Sequence, residues 1–128
     1  MKKKILIVVA NYYENIASSL LNSAKNKIKN KCSIKVINVP GAFEIPVTIS
    51  KNLNKFSGFI ALGCVIKGQT THFDFISKAT TDALMTLSLT SNKPVGNGVI
   101  TCLNKKQAIK RGKKGSEAAK AVLSVLYQ

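Results

Sequence analysis

Nine consecutive residues, Gly58 to Ile66, read Gly-Phe-Ile-Ala-Leu-Gly-Cys-Val-Ile and offer no polar position to water. A strand with one wet face alternates apolar and polar residues. A strand that does not alternate must be covered on both faces, as inner strands of parallel sheets are. Three other short runs flank it: Lys4 to Ala10, Ser33 to Val39 and Val95 to Leu103. Between them the apolar period lengthens to that of a helix. Ile16, Leu20, Leu21, Ala24 and Ile28 mark one helical face, and Ile76, Ala79, Ala83, Leu84 and Leu87 mark another. A helix is expected from about Phe43 to Asn54, where Pro46 is tolerable only in the first turn. Two more are expected near Lys105 to Arg111 and Ser116 to Leu126, separated by Gly112 and Gly115. Strand and helix in strict alternation imply an α/β fold, a three-layer αβα sandwich around a four-stranded parallel sheet. A chain of 128 residues with no linker, repeat or low-complexity tract is expected to form a single domain over residues 1–128.

Composition narrows the function classes. No apolar run approaches the ~20 residues needed to span a bilayer. Six apolar residues after Met1-Lys2-Lys3-Lys4 are too few for a secretory core, so a cytoplasmic protein with no membrane partner is expected. The formal net charge is +15. Arg111 is the sole arginine among twenty basic residues; the rest are lysines dispersed along the chain. Dispersal, and the lack of a basic helix or RNA-binding motif, favour a solvated surface over a nucleic-acid partner. Cys32, Cys64 and Cys102 form no Cys-x-x-Cys pair, and one histidine cannot complete a zinc set, so no metal is expected. Cys64 and Cys102 lie inside apolar runs and read as small core residues.

Ligands of open parallel sheets bind beyond the carboxyl ends of the strands. The candidate polar groups fall there. Asn11-Tyr12-Tyr13-Glu14 follows the first strand and Gly41-Ala42-Phe43-Glu44 the second; Gly68-Gln69-Thr70-Thr71-His72 follows the third. In that last loop a glycine allows close backbone approach and the threonine hydroxyls suit a phosphate. The imidazole of His72 titrates near neutrality and can move protons. A bland reading stands beside it: a threonine N-cap with His72 an ordinary first-turn residue. Arg111 offers a planar fork for phosphate, or merely a favourable cation at a helix end. Tyr13, Phe43 and Glu44 could touch ligand, or could be core aromatics and a carboxylate complementing a helix dipole. Lys113 and Lys114 could form a plain solvated turn.

Five blocks carry a resemblance. They are Val39 to Pro46, Ala61 to Asp74, Gly96 to Thr101, Gln107 to Arg111 and Lys114 to Ala119. In their order and over nearly the whole chain they resemble the 6,7-dimethyl-8-ribityllumazine synthases of riboflavin biosynthesis. The resemblance implies a flavodoxin-like sandwich and a homo-oligomer, a pentamer with active sites between subunits. It implies a transferase that condenses 5-amino-6-(D-ribitylamino)uracil with 3,4-dihydroxy-2-butanone 4-phosphate, releasing phosphate and water, with no cofactor. It also implies the roles. Tyr13 would stack on the pyrimidine, Ala42, Phe43 and Glu44 would line the ribityl site, and Val65 and Ile66 would wall the heterocycle. Gln69, Thr70 and Arg111 would hold the phosphate, His72 would transfer protons, and Lys114 would approach the heterocycle. Asn97 stands where the family often has an aromatic residue reaching in from the neighbouring subunit. Asn97 and the short Gly112-Lys113 link keep open an alternative: a non-catalytic flavin or lumazine binder on the same fold.

Overall fold

The computed structural model describes residues 2–69 and 72–128. Four parallel strands form one sheet: β1 (Lys3–Ala10), β2 (Cys32–Val39), β3 (Gly58–Ile66) and β4 (Val95–Cys102), in the spatial order β2-β1-β3-β4. The helices are α1 (Glu14–Ile28), α2 (Ile45–Lys51), α3 (Phe73–Ser91), α4 (Lys105–Lys110) and α5 (Lys114–Leu126). The α/β class and the four-stranded parallel sheet therefore agree with the sequence reading.

The two inner strands are buried on both sides. Ile5, Ile7 and Val9 of β1, with Ile60 and Leu62 of β3, face a core closed by α1, α4 and α5. Leu6 and Val8, with Phe59, Ala61 and Val65, face a second core under α2 and α3. Alternate residues of one apolar run thus serve opposite cores, as the period of two in a strand requires. β1 neighbours both β2 and β3, so the chain winds outward in opposite directions from the β1/β3 seam. That seam opens the crevice at the carboxyl ends where a ligand can sit.

Several boundaries differ from expectation, each for a local reason. The helix expected from Phe43 is preceded by a 3-10 turn, Ala42–Glu44, and α2 itself starts at Ile45 with Pro46 in its first turn, where the missing N–H costs nothing. It stops at Lys51, where the side-chain amide of Asn52 donates to the Thr48 carbonyl at 2.7 Å. Helix α3 ends at Asn92 in the left-handed conformation (φ 57°), a conformation asparagine tolerates. Ala79, expected inward, is exposed; Thr80 is the buried neighbour. Gly115, read as a separator, lies inside α5. A Cβ there would stand 2.0 Å from the Leu20 carbonyl oxygen, so α5 touches α1 backbone to backbone.

Charge follows helix direction. Glu14, Asp74 and Glu117 occupy the first turns of α1, α3 and α5; Lys25 and Lys27 close α1, and Lys51 closes α2. Each sign sits at the helix end whose partial charge it complements. Among the described residues no helix is long and apolar enough to cross a membrane.

Candidate active site

Beyond the carboxyl ends of β1 and β3 lies a cavity of about 270 Å³. Three segments build it. Tyr12 and Tyr13 come from the link between β1 and α1, Gly41, Ala42 and Phe43 from the turn after β2, and Cys64, Val65, Ile66 and Gln69 from the end of β3 and its loop. Ile76 of α3 closes one side. Of the residues singled out in sequence, Tyr13, Ala42, Phe43, Val65, Ile66 and Gln69 are therefore gathered in one place.

The phenol of Tyr13 donates to Gln69 Oε1 at 2.8 Å and ties the β1 loop to the β3 loop across the mouth. Its ring meets Tyr12 edge to face with centroids 4.8 Å apart, and Lys105 Nζ stands 5.7 Å from its centroid on the other side. Burial first, and then the neighbouring Tyr12 and Cys64, raise the pKa of Tyr13, so it stays a neutral donor through the physiological range. Gly68 has φ +87°, and a Cβ on it would meet nothing within 4 Å. The glycine is required by the backbone turn and not by crowding. Phe43 projects into solvent at 65% exposure. A ring that lines a cavity while exposed to that degree is free to cover a ligand.

Arg111 caps the end of α4 and is not among the residues that line this cavity. Its Nη1 donates to the Thr101 carbonyl at 3.1 Å and approaches Cys102 Sγ at 3.9 Å. These two acceptors on the last residues of β4 fix one arm of the guanidinium. Its other nitrogens have no hydrogen-bond partner among the described residues. Its field reaches Cys64 in the cavity wall, where it partly opposes a larger effect. Burial, with Cys102 alongside, pushes the Cys64 thiol up to about 12, so this cysteine is a neutral wall atom and no nucleophile. The Cys64 side chain is half-buried, whereas Cys102 is fully buried as expected.

Glu44, next to Phe43, is half-buried and is not among the residues that line the cavity; its carboxylate is turned back so that Oε1 lies 3.2 Å from where a Gly41 Cβ would be. His72 caps α3; its carbonyl accepts the Ile76 amide at 2.8 Å and its ring lies 6.4 Å from that of Phe75. It is exposed and does not line the cavity. Thr70, the expected phosphate ligand between Gln69 and His72, lies outside the described residues. Asn97 and Lys114 are not brought to this cavity. Asn97 is paired in register with Ala61, four residues before Val65, and is exposed on the α3 side with its Oδ1 accepting the Val99 amide at 3.0 Å. Lys114 opens α5 on the other face and pairs with Glu117 at 3.2 Å.

Sequence reasoning placed Tyr12 at this end of the sheet without giving it a role, and passed over Cys64, Ile76 and Lys105 as site residues. Tyr12 was legible as the neighbour of Tyr13. Lys105 carried no signal, since only the folding of α4 against the start of α1 brings it to the Tyr13 ring. Among the described residues no three His, Cys, Asp or Glu side chains gather to hold a metal ion.

The chain matches the family model described as 6,7-dimethyl-8-ribityllumazine synthase over residues 2–128. It is similar to proteins of that name in Agrobacterium fabrum, 39% identical with 98% of this chain and 93% of the relative covered, and in Bartonella tribocorum, 40% identical with 98% and 91% covered. The Buchnera aphidicola protein of the same name is 40% identical, with 98% and 86% covered. A family model spanning the chain, three relatives matched over most of their length and a parallel sheet with its cavity at the strand ends converge on one conclusion: the chain belongs to the 6,7-dimethyl-8-ribityllumazine synthase family.

Proposed function

We propose that this protein makes 6,7-dimethyl-8-ribityllumazine by condensing 5-amino-6-(D-ribitylamino)uracil with 3,4-dihydroxy-2-butanone 4-phosphate, releasing phosphate and water. The observation that carries the reading is that Tyr13, Ala42, Phe43, Val65, Ile66 and Gln69 line one cavity in a chain of this family. Its make-up suits the uracil substrate. Val65, Ile66 and the Tyr13 ring offer apolar and aromatic surface to a flat heterocycle. Phe43, Glu44 and the backbone at Ala42 offer polar and apolar contacts to the ribityl chain. Arg111, braced by Thr101 and Cys102, holds the phosphate dianion with Gln69 and Thr70. Arginine suits this role through its planar fork.

The chemistry asks for positioning and proton traffic. The amine of the uracil attacks the ketone, water leaves to give an imine, phosphate departs, and ring closure loses a second water. Holding both reactants in one cavity supplies much of the rate in such a condensation. His72, two residues beyond Thr70, moves the protons that imine formation and elimination require.

The working unit in this reading is one domain over residues 1–128, assembled in the cytoplasm as a homopentamer with its sites between subunits. Two observations support assembly. Asn97 and Lys114 lie away from the cavity of their own chain, available to a neighbour's. The α2 and α3 faces expose Val47, Phe75, Met85 and Leu89 beside an apolar groove of about 310 Å³. Solvent contact over that much apolar surface is costly unless a copy covers it.

The deciding experiment mixes the purified protein with both substrates and follows lumazine fluorescence. A rate well above the spontaneous condensation is expected, with His72→Ala slower by about 10²-fold yet still above background, because positioning remains. Tight riboflavin binding with no rate above background would overturn the enzyme reading in favour of a non-catalytic binder.

A further inference from the structure

Nine of the nineteen lysines, dispersed along the sequence, are gathered at one end of the fold. In a parallel α/β layer the strands begin, and the helices that follow them end, at the same edge. Lys2, Lys3 and Lys4 lead into β1. Lys25 and Lys27 stand in the last turn of α1, with Lys29 and Lys31 in the turn that follows. Lys51 closes α2 and Lys55 comes just after it. Every one of these side chains is exposed.

The acids lie elsewhere. Glu14, Asp74 and Glu117 are in first turns at the other ends of their helices, and Glu44 is in the turn beyond β2. Asp82 lies midway along α3. Asp82 and Glu117 are each paired with a lysine of their own helix, at 2.6 and 3.2 Å. Among the described residues the amino end of the sheet holds no Asp or Glu side chain. The lysines are solvated, as the sequence suggested, but the acidic side chains are unevenly shared between the two ends of the fold.

The surface is also shaped. A groove of about 410 Å³ beside the edge strand β2 is lined by Lys4, Ser33, Ile34, Lys35, Lys55 and Phe56. On the α5 side Lys3 Nζ stands 5.9 Å over the ring of Tyr127, which is half exposed and whose hydroxyl donates to the Lys31 carbonyl at 3.5 Å. Two aromatic rings are therefore interleaved with the lysines.

We propose that this end of the fold binds single-stranded nucleic acid, with phosphates on the lysines and bases against Phe56 and Tyr127. Cationic grooves with interspersed aromatic rings are what single strands need, because every base has a face to stack. Lysine supplies point charges and not the arginine fork that reads guanine, so binding is sequence-independent. An anionic membrane is the poorer fit. Membrane docking gains from apolar side chains around the basic ones; the exposed Phe43, Phe75, Leu103 and Ile109 belong to the opposite end of the fold, against Leu89 and Val125 near this one. This surface lies away from the synthase cavity, so the inference stands whether or not the proposed reaction does.

Fluorescence anisotropy of the protein with a labelled 20-mer of deoxythymidine tests it. Binding is expected at low salt. If about four phosphates are neutralised, affinity falls roughly 50-fold between about 50 and 200 mM salt. The triple variant Lys29→Glu, Lys31→Glu, Lys55→Glu should lose at least about tenfold in affinity. A control at the other end, Lys106→Glu, Lys110→Glu, Lys113→Glu, changes net charge equally and should stay within about twofold of the parent. If charge reversal unfolds the protein, the Lys→Gln set at the same three positions is measured instead. Three results would overturn the proposal: no binding at about 50 mM salt, equal losses in both triple variants, or tighter retention on phosphatidylglycerol vesicles than on the oligonucleotide.

Discussion

Helices α1 and α5 close over their side of the sheet, while α2 and α3 leave theirs partly open. On the first side Gly115 rests on the Leu20 carbonyl and Gly96 on the Ala118 carbonyl, where added Cβ atoms would stand at 2.0 and 2.3 Å. Small residues let the helices sit down on each other and on β4, and Ala118, Ala119 and Val122 are fully buried as a result. On the second side only Thr80 and Leu84 of the long helix α3 are buried, although the helix is rich in apolar residues. Ser77 Oγ and Thr80 Oγ1 are buried there without a hydrogen-bond partner among the described residues. One layer completes its packing within the chain; the other has the composition of a core and the exposure of a surface. The same apolar content thus performs two jobs, folding in the first layer and, in our reading, assembly in the second.

The comparison is most open to attack at its tightest contact. Gly115→Ala drives a methyl group into a backbone carbonyl that has nowhere to go. We expect a loss of about 3 kcal/mol in denaturant unfolding. Ala79→Val adds bulk beside the open groove on α3 and should cost less than about 0.5 kcal/mol. Similar losses at the two sites would show that the layers do not differ.

A second test reverses the emphasis. Phe75→Lys with Met85→Lys places charge on the exposed face of α3. Subunit stability should change by no more than about 0.5 kcal/mol, because neither side chain is buried in the chain. Native mass or light scattering should nevertheless report loss of self-association. An unchanged assembly would remove this face from the interface.

A last test concerns the orphan hydroxyl, where the change is expected to be neutral or favourable. Thr80→Val keeps the shape and deletes an oxygen buried without a partner. It should leave the subunit unchanged or stabilise it by about 1 kcal/mol. A clear loss of stability that appears only in the assembled protein would mean that a neighbouring subunit satisfies Thr80.

Much of the fold was legible because its signals are local and repeat. The apolar run of β3 announced an inner strand, and Asn104, accepting the Gln107 amide at 2.9 Å, caps α4 where the sequence placed a helix start. The site was legible by a coarser route. Topology alone sends Tyr13, Ala42, Phe43 and Gln69 to one end of the sheet, and family motifs pointed to the same residues. Other features needed contacts between distant segments. Gly115 looked like a helix breaker, since nothing nearby in sequence reveals that Leu20 lies against it. Ala79 followed the helical period yet faces out, because α2 is short and covers only part of α3.

From the sequence alone came the alternation of strand and helix, the burial of β3 on both faces and the family membership. These depend on periodicity and on residue order, which a single chain carries along its length. The tertiary structure decided which residues meet. It braced Arg111 on Thr101 and Cys102, set Lys105 over Tyr13, turned Cys64 into a neutral wall of the cavity, and moved Asn97 and Lys114 away from it. It also separated charge that the sequence scatters, because parallel winding brings helix ends and strand starts to a common edge. Proximity between residues far apart in the chain is a product of packing, and no local pattern encodes it.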